Sequence, residues 1–448
     1  MTHPNIIFVF ADQWRYQATG FGGDPNVKTP HLDALARRSL NFSNAISGCP
    51  VCCPARSSLL TGRYPDQHGV FVNDVHLNTD AVSMAQAFRT GGYHSGYIGK
   101  WHVDGHGRSN YIPPERRQGF DHWMVLECTH DYNDSAYYSG NDETKRVWPE
   151  YDAIPQTYEA QRYITEQAES DNPFLLVLSW GPPHNPYETA PEKYCEMYDP
   201  ATLTLHPNVP AAKESVAREE LAGYYAHCTA LDDLIGELLT TVDVAGIADE
   251  TIFVFWSDHG DMLHSQDEAH KQRPWEESIH VPLLLRYPRK FGNGGRIIDA
   301  PIYTPDLLPA LLGLADLPIP ATVVGRDYSN HLLGNAPAPA DAALLACYHP
   351  FGEYERRNGG REYRGLRTRT HTYAHTLDGP WLLYDNVADL YQQHNLIGQP
   401  DAASIQAELD QALDAKLAEI GDEFLSGEEY LAKWGHVTDE HGTVPFVW

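Results

Sequence analysis

Apolar residues fall along this chain in short unbroken runs separated by amphipathic stretches. Ile6-Ile7-Phe8-Val9-Phe10, Phe174-Leu175-Leu176-Val177-Leu178 and Ile252-Phe253-Val254-Phe255-Trp256 are continuously apolar over strand length. That is the pattern of strands covered on both faces. Tyr93–Ile98 reads as a fourth strand. Between the strands the period lengthens. A helix opens at Thr29-Pro30, with Thr29 as its cap, Pro30 at its first position and Arg37-Arg38 at its end. Val82–Arg89 reads as a helix stopped by Gly91-Gly92. From Lys213 to about Thr241, Leu221, Tyr224, Tyr225, Cys228, Leu231, Leu234 and Ile235 mark one side of a long amphipathic helix. This alternation predicts an α/β fold, a large mostly parallel central sheet sandwiched by helices. Pro318–Pro320 and the Ala-Pro-Ala-Pro-Ala run at 336–340 punctuate the chain. They divide it into an α/β domain, residues 1–340, and a smaller α+β subdomain, residues 341–448. The second part is expected to hold a short antiparallel sheet from Arg364–Arg369, Thr372–Thr376 and Trp381–Tyr384, and a last helix from about Ala402 to Ile420.

Composition narrows the function. The chain has 448 residues, about three average domains and enough to bury a sizeable core. With 32 Lys+Arg against 61 Asp+Glu the net charge is −29, which excludes a nucleic-acid binder and disfavours a long polyanion. Hydrophobic content of 42% with 11% aromatics excludes a disordered chain. The apolar runs fall far short of the roughly 20 residues that span a membrane. Met1-Thr2-His3-Pro4 leads into the first strand with no basic stretch and no cleavage site. The expected location is the cytoplasm, or the periplasm or exterior if a leader has been removed. The cysteines number seven, which does not read as a disulfide framework. Three of them, Cys49, Cys52 and Cys53, crowd into one short stretch.

The three long apolar runs each end in a polar cluster: Asp12-Gln13, Ser179–His184 and Ser257-Asp258-His259-Gly260-Asp261. Ligands of open α/β sheets bind outside the carboxyl ends of the strands, so these clusters are expected to meet at one rim. Two carboxylates, an amide and imidazoles there would hold a hard cation, Ca²⁺ or Mg²⁺ rather than a soft metal. Capping of following helices is the plainer reading of either aspartate alone. In Cys52–Arg63, Pro54 at a first helical position and Gly62 past the end frame a short helix. Cys52 then lies at a helix N-terminus that favours an anion, with Arg56 one turn on to reach the same anion. A zinc site lacks a second Cys-x-x-Cys, and an inert core cysteine is the remaining alternative. Gly99-Lys100-Trp101-His102 closes the fourth strand, with Lys100 and His102 expected on one side: a charge for an anionic oxygen and a proton carrier.

Cys52-x-Pro54-x-Arg56 followed by Ser57-Ser58-Leu59-Leu60-Thr61-Gly62 resembles the signature of the type I sulfatases of the alkaline phosphatase superfamily. The likeness extends through Asn5–Asp12, Gly99–His102, Gly181–Pro186, Ser257–Asp261 and Leu383–Leu396. The resemblance implies an alkaline-phosphatase-like fold and a sulfate monoester hydrolase. It implies that a formylglycine-generating enzyme oxidises Cys52 to formylglycine, whose hydrate is the nucleophile. Asp12, Gln13, Cys52, Asp258 and His259 would bind Ca²⁺, with Mg²⁺ or Mn²⁺ as alternatives. Arg56 would orient the hydrate. Lys100, His184 and Lys271 would hold sulfate oxygens, His184 or Lys271 would protonate the leaving alcohol, and His102 would assist elimination. Two positions depart from the commonest pattern. Gln13 stands where a second aspartate is usual, as in phosphonate monoester hydrolases and phosphodiesterases, and His259 stands where asparagine is frequent. Lys100-Trp101-His102 favours the sulfatase. A phosphonate or phosphodiester hydrolase, and a binder with an unmodified Cys52, are the rival readings.

The substrate is expected to be a small sulfated ester, a mono- or oligosaccharide. Aromatic residues within Trp101–Tyr138 and the Pro182–Tyr187 loop are expected to face carbohydrate, with Asn73, His106 and His349 as specificity residues. Homo-oligomerisation is left open.

Overall fold

The computed structural model describes residues 3–448; Met1 and Thr2, on which the reading of the N-terminal stretch begins, lie outside the described residues. Four parallel strands lie side by side at the centre: β2 (His94–Lys100), β3 (Phe174–Pro183), β1 (Asn5–Asp12) and β4 (Thr251–Ser257). Among the described residues they form part of a mixed ten-stranded sheet. Each apolar run does divide between two cores. Phe8, Phe10, Val177 and Val254 pack on one face with Leu59 and Leu60 of the helix that begins at Cys52. Val9, Leu176, Leu178 and Phe255 pack on the other with Tyr224, Leu231 and Ile235 of helix Glu214–Val244. Burial on both sides explains why no polar residue interrupts these apolar runs.

The register sets the ends level. Gly99 pairs with Ser179, Ser179 with Phe10, and Phe10 with Trp256, one row across four strands. Lys100, Asp12 and Asp258 follow within two residues of that row, so the polar clusters converge at one rim. Gly99 makes the row possible. Its φ is +103°, and a Cβ there would stand 2.0 Å from the Ser179 carbonyl.

Local details differ from the sequence expectation. The helix begins at Cys52, and Pro54 occupies its third position rather than its first. The first-turn N–H groups have no intrahelical acceptor, so proline is tolerated throughout that turn. Thr29 does not cap its helix: its hydroxyl accepts from Gly20 N and donates to Asp33. Asp232 of the long helix caps it instead, accepting from His31 N at 2.9 Å and Leu32 N at 2.7 Å. β2 continues to Lys100, and His102 has a left-handed backbone with φ 57°. Strand alternation therefore does not place Lys100 and His102 together.

The second sheet is antiparallel, with strands Ala342–Cys347, Tyr363–Thr368, His371–Thr376 and Gly379–Asp385 in that order. Its first strand was not expected; Ala and Leu give it no β-branched signature. Helix Ala403–Ile420 is followed by another, Gly427–Trp434, which opens with a Ser426/Glu429 capping box. Leu344, Leu366 and Leu383 pack with Ile46, Ile279 and Tyr303 of the preceding part. A bidentate pair fastens the junction: Arg367 Nε and Nη2 donate to Glu276 at 2.8 and 2.9 Å. Burial raises the Glu276 pKa, but Arg367 and His280 outweigh it and hold the carboxyl well below its usual range. A depressed carboxyl contributes stability above its unfolded pKa, near 4.5, and loses it as pH falls through that value toward the folded one. Denaturant unfolding should show Glu276→Gln clearly less stable than the parent at neutral pH, with the gap narrowing below pH about 4.5. A gap independent of pH would refute this role.

Candidate active site

Cys52 lies at the first turn of its helix and is buried. Its Sγ is 3.2 Å from Lys271 Nζ, 3.2 Å from His259 Nε2 and 3.6 Å from Asp12 Oδ1. Burial and Asp12 both raise the thiol pKa. Lys271, Lys100 and His259 outweigh them and hold it well below the ordinary value. Asn73, 20 residues on, accepts the Cys53 N–H at 3.1 Å and so steadies the start of this helix.

Asp12 and Asp258 flank Arg56, which no solvent reaches. Its Nη2 donates to Asp12 Oδ2 and its Nε to Asp258 Oδ2, both at 3.0 Å. Its Nη1 donates to Lys100 O at 2.9 Å and Ser179 Oγ at 2.8 Å. Four of its five N–H groups are thus engaged and it does not line the cavity, so Arg56 fixes the carboxylates instead of reaching in for an anion. Lys100 Nζ likewise donates to Asp12 Oδ2, at 2.6 Å. Burial raises the Asp12 pKa, but the charges of Lys100 and Arg56 hold it well below the usual carboxylate range. Asp258 is pushed up, by burial and then by the charge of Asp12. His259 Nδ1 donates to the Gly260 carbonyl at 2.9 Å, which turns Nε2 toward both aspartates. One ligand atom from each of Asp12, Cys52, Asp258 and His259 lies within 4.8 Å of the others.

Gln13 has a backbone φ of 70° and turns its amide into the same space. Its Nε2 donates to Asp261 Oδ2 at 2.7 Å, and its Oε1 accepts from Lys271 Nζ at 3.2 Å. Tyr187 donates to the same Asp261 oxygen at 2.5 Å. A carboxylate at position 13 would face Asp261 with like charge; the amide meets it with a donor. Asp261 is a site residue whose role the sequence did not reveal.

A cavity of about 330 Å³ opens above these groups. Gln13, Cys52, Asn73, His102, His184 and Lys271 line it; Arg56, Lys100, Asp12 and Asp258 stand behind. His184 Nδ1 donates to Asn185 O at 2.8 Å, so its Nε2 accepts from Lys271 Nζ at 3.0 Å. Burial, Lys271 and His130 keep its pKa well below normal, and the ring is neutral. Unexpected neighbours complete the wall. His130 stacks on His184 with centroids 4.4 Å apart. Tyr132 donates to Gly181 O and Asn185 O, bracing the loop that carries His184. His102 Nε2 is 3.6 Å from Asp74 Oδ1. Burial lowers the His102 pKa, but Cys128, Cys53 and Asp74 raise it well above normal.

The expected carbohydrate surface is not there. Trp101, Trp123, Tyr132 and Tyr138 are buried, and Trp101 packs edge-on against Tyr97 and Trp123 at 4.8 and 5.0 Å. Tyr187 is buried on Asp261. These rings fill the core because their large apolar faces gain most from it. His106 lies outside the cavity beside His76 and Asp104, whose carboxylate is already held by Arg116. His349 also lies outside it, buried behind the wall.

Sheet and site together define a hydrolase of the alkaline phosphatase superfamily. The chain belongs to the sulfatase family: the family profile Sulfatase matches residues 4–317, and the profile N-sulphoglucosamine sulphohydrolase, C-terminal, matches residues 269–419. It is a sulfuric ester hydrolase. It is 48% identical, over 97% of its length and 85% of the relative's, to an ulvan-active sulfatase of Formosa agariphila. It is 30% identical to an endo-4-O-sulfatase of Bacteroides thetaiotaomicron, over 88% of each chain. A Bacteroides thetaiotaomicron sulfatase structure from work on the metabolism of multiple glycosaminoglycans superposes with a TM-score of 0.86 at 28% identity, covering 96% of this chain and 99% of the other.

Proposed function

We propose that the protein hydrolyses a sulfate ester of a sulfated mono- or oligosaccharide, using Ca²⁺ and a formylglycine made from Cys52. The observation that carries this reading is Cys52 on the cavity floor, between a carboxylate pair and Lys271 at 3.2 Å. The ulvan and endo-4-O activities named for two relatives support a carbohydrate ester.

The donor set fits a hard cation. Two buried carboxylates and a tautomer-fixed His259 Nε2 lie together beside Cys52, and the Gln13 amide lines the same cavity. A divalent charge would also offset the repulsion that lifts Asp258. Asp12, Gln13, Asp258 and His259 would hold the ion, which supplies Lewis-acid stabilisation of charge on a sulfuryl oxygen. The formylglycine hydrate supplies a nucleophilic hydroxyl and a second hydroxyl that an unmodified side chain lacks.

The chain's own residues do the rest. Arg56 and Lys100 fix the aspartates and bring positive charge behind the sulfuryl group. Lys271 and neutral His184 share one hydrogen bond at the cavity wall. Lys271 offers the N–H it turns toward residue 52 to a sulfuryl oxygen and, anchored on His184 Nε2, stands where the departing alcohol oxygen takes its proton. His102, 3.6 Å from Asp74, lines the same cavity and, once it has given up its own proton, takes one from residue 52 in the second half of the reaction. Lys271 and Arg108 put positive charge on the cavity lining inside a chain of charge −29, which suits a small anion at the cavity floor and a ligand entering end-on.

Enzyme from a host with a formylglycine-generating enzyme should release inorganic sulfate from sulfated oligosaccharides faster than it cleaves an aryl phosphonate. EDTA should abolish the release and lower the melting midpoint, and Ca²⁺ should restore both. Phosphonate turnover without sulfate release, or full activity after exhaustive chelation, would overturn the assignment.

A further inference from the structure

We propose that residues 443–448 form the wall of a second sugar subsite beside the sulfate cavity, with the Trp448 ring as the platform for the neighbouring monosaccharide. The inference rests on the reading of the substrate as a sulfated carbohydrate.

A cavity of about 330 Å³ is at the small end of ligand pockets and holds one sulfated sugar. Any further sugar must leave across the rim. Segment 439–448 meets that rim at Thr443. Asp439 Oδ1 accepts from both His441 N and Thr443 N at 2.9 Å, closing a tight turn. Thr443 thereby reaches the cavity lining. The buried His349 ring packs beneath the turn, so close that a Cβ on Gly442 would lie 2.5 Å from its Nε2. This is the place of a residue expected to touch substrate; it supports the rim instead.

Past Thr443 the chain is pinned through Arg108, itself a cavity residue. Arg108 N donates to Val447 O at 2.7 Å. Its guanidinium lies 3.5 Å over the Phe446 ring and 5.0 Å from that of Trp448, while Asp74 holds it bidentately at 2.9 and 2.8 Å. Phe446 and Trp448 meet edge to face, centroids 5.5 Å apart at 85°. Trp448 is therefore held by its neighbours, yet its side chain is on the surface, 64% exposed. It stands 6.4 Å from His130, which stacks on His184. Two ring-to-ring steps link it to the cavity wall. A fixed, exposed indole at the mouth of a sugar cavity offers an apolar face to axial C–H groups and an N–H to a hydroxyl. The buried aromatics of Trp101–Tyr138 cannot do this.

The test compares Trp448→Ala, Trp448→Phe and parent on para-nitrophenyl sulfate and on a panel of ulvan and glycosaminoglycan oligosaccharides, with melting midpoints as the folding control. For the oligosaccharide the parent turns over, Trp448→Ala should raise KM about tenfold with kcat little changed. Trp448→Phe should recover most of the loss, and para-nitrophenyl sulfate kinetics should not move. An unchanged oligosaccharide KM, or an equal loss on both substrates, would overturn the subsite and leave the carbohydrate assignment standing. A parent that cleaves the aryl sulfate but no oligosaccharide would instead overturn that assignment and the subsite with it.

Discussion

Cys52→Ser is expected to fold normally and to lose steady-state sulfatase turnover by more than about a thousandfold. The two side chains are close in volume, and Cys52 packs at a helix start whose backbone Asn73 and the Gly62 end secure independently. Stability should therefore change little. The chemistry should not survive, because serine supplies a single hydroxyl where the account requires two oxygens on one carbon. Lys271, His184 and the carboxylates remain in place, so residual activity measures what binding and electrostatics give without the nucleophile. Melting midpoints and inorganic sulfate release, measured on the same preparation, separate the two effects. Multiple turnovers at a rate within tenfold of the parent would remove formylglycine from the account.

Arg56→Met is expected to cost about 3–5 kcal/mol of stability and to abolish activity. Methionine keeps much of the volume but none of the charge. Two fully buried carboxylates, Asp12 and Asp258, would lose the cation that holds both at 3.0 Å. Lys100 still neutralises Asp12 at 2.6 Å, so Asp258 bears most of the penalty. Lys100 O and Ser179 Oγ also lose their donor. Equilibrium unfolding in denaturant gives the size of the loss. A variant within about 1 kcal/mol of the parent would show that the carboxylates are neutral without Arg56, and the charge balance drawn for the site would be wrong.

The placement of the site was legible because strand ends carry it. Doubly buried strands admit no polar residue until the chain leaves the sheet, so Asp12, Lys100, His184 and Asp258 mark the exits in the sequence itself. The register row through Gly99, Ser179, Phe10 and Trp256 then needs only a parallel sheet to bring them together. The residues that orient these groups left no such mark. Asp261, Asp74, Tyr132 and His130 act through a hydrogen bond or a stacked ring with a partner distant in sequence, and their types alone do not distinguish that work from a solvated loop. The aromatic stretch misled for a related reason. Composition reveals that Trp101 and Trp123 are large and flat, but only the packing against Tyr97 and Phe120 shows that their faces are covered. The first strand of the small sheet was hidden in an Ala/Leu run, and the Gly427–Trp434 helix was missed although Ser426-x-x-Glu429 spells its capping box.

The tryptic peptide Ser39–Arg56 carries the central claim, and its mass is the measurement to make, on protein produced with a formylglycine-generating enzyme. Residue 52 is expected to lose one sulfur and two hydrogens and gain one oxygen, while Cys49 and Cys53 stay thiols. A peptide with all three thiols intact, from a preparation that releases sulfate, would contradict it.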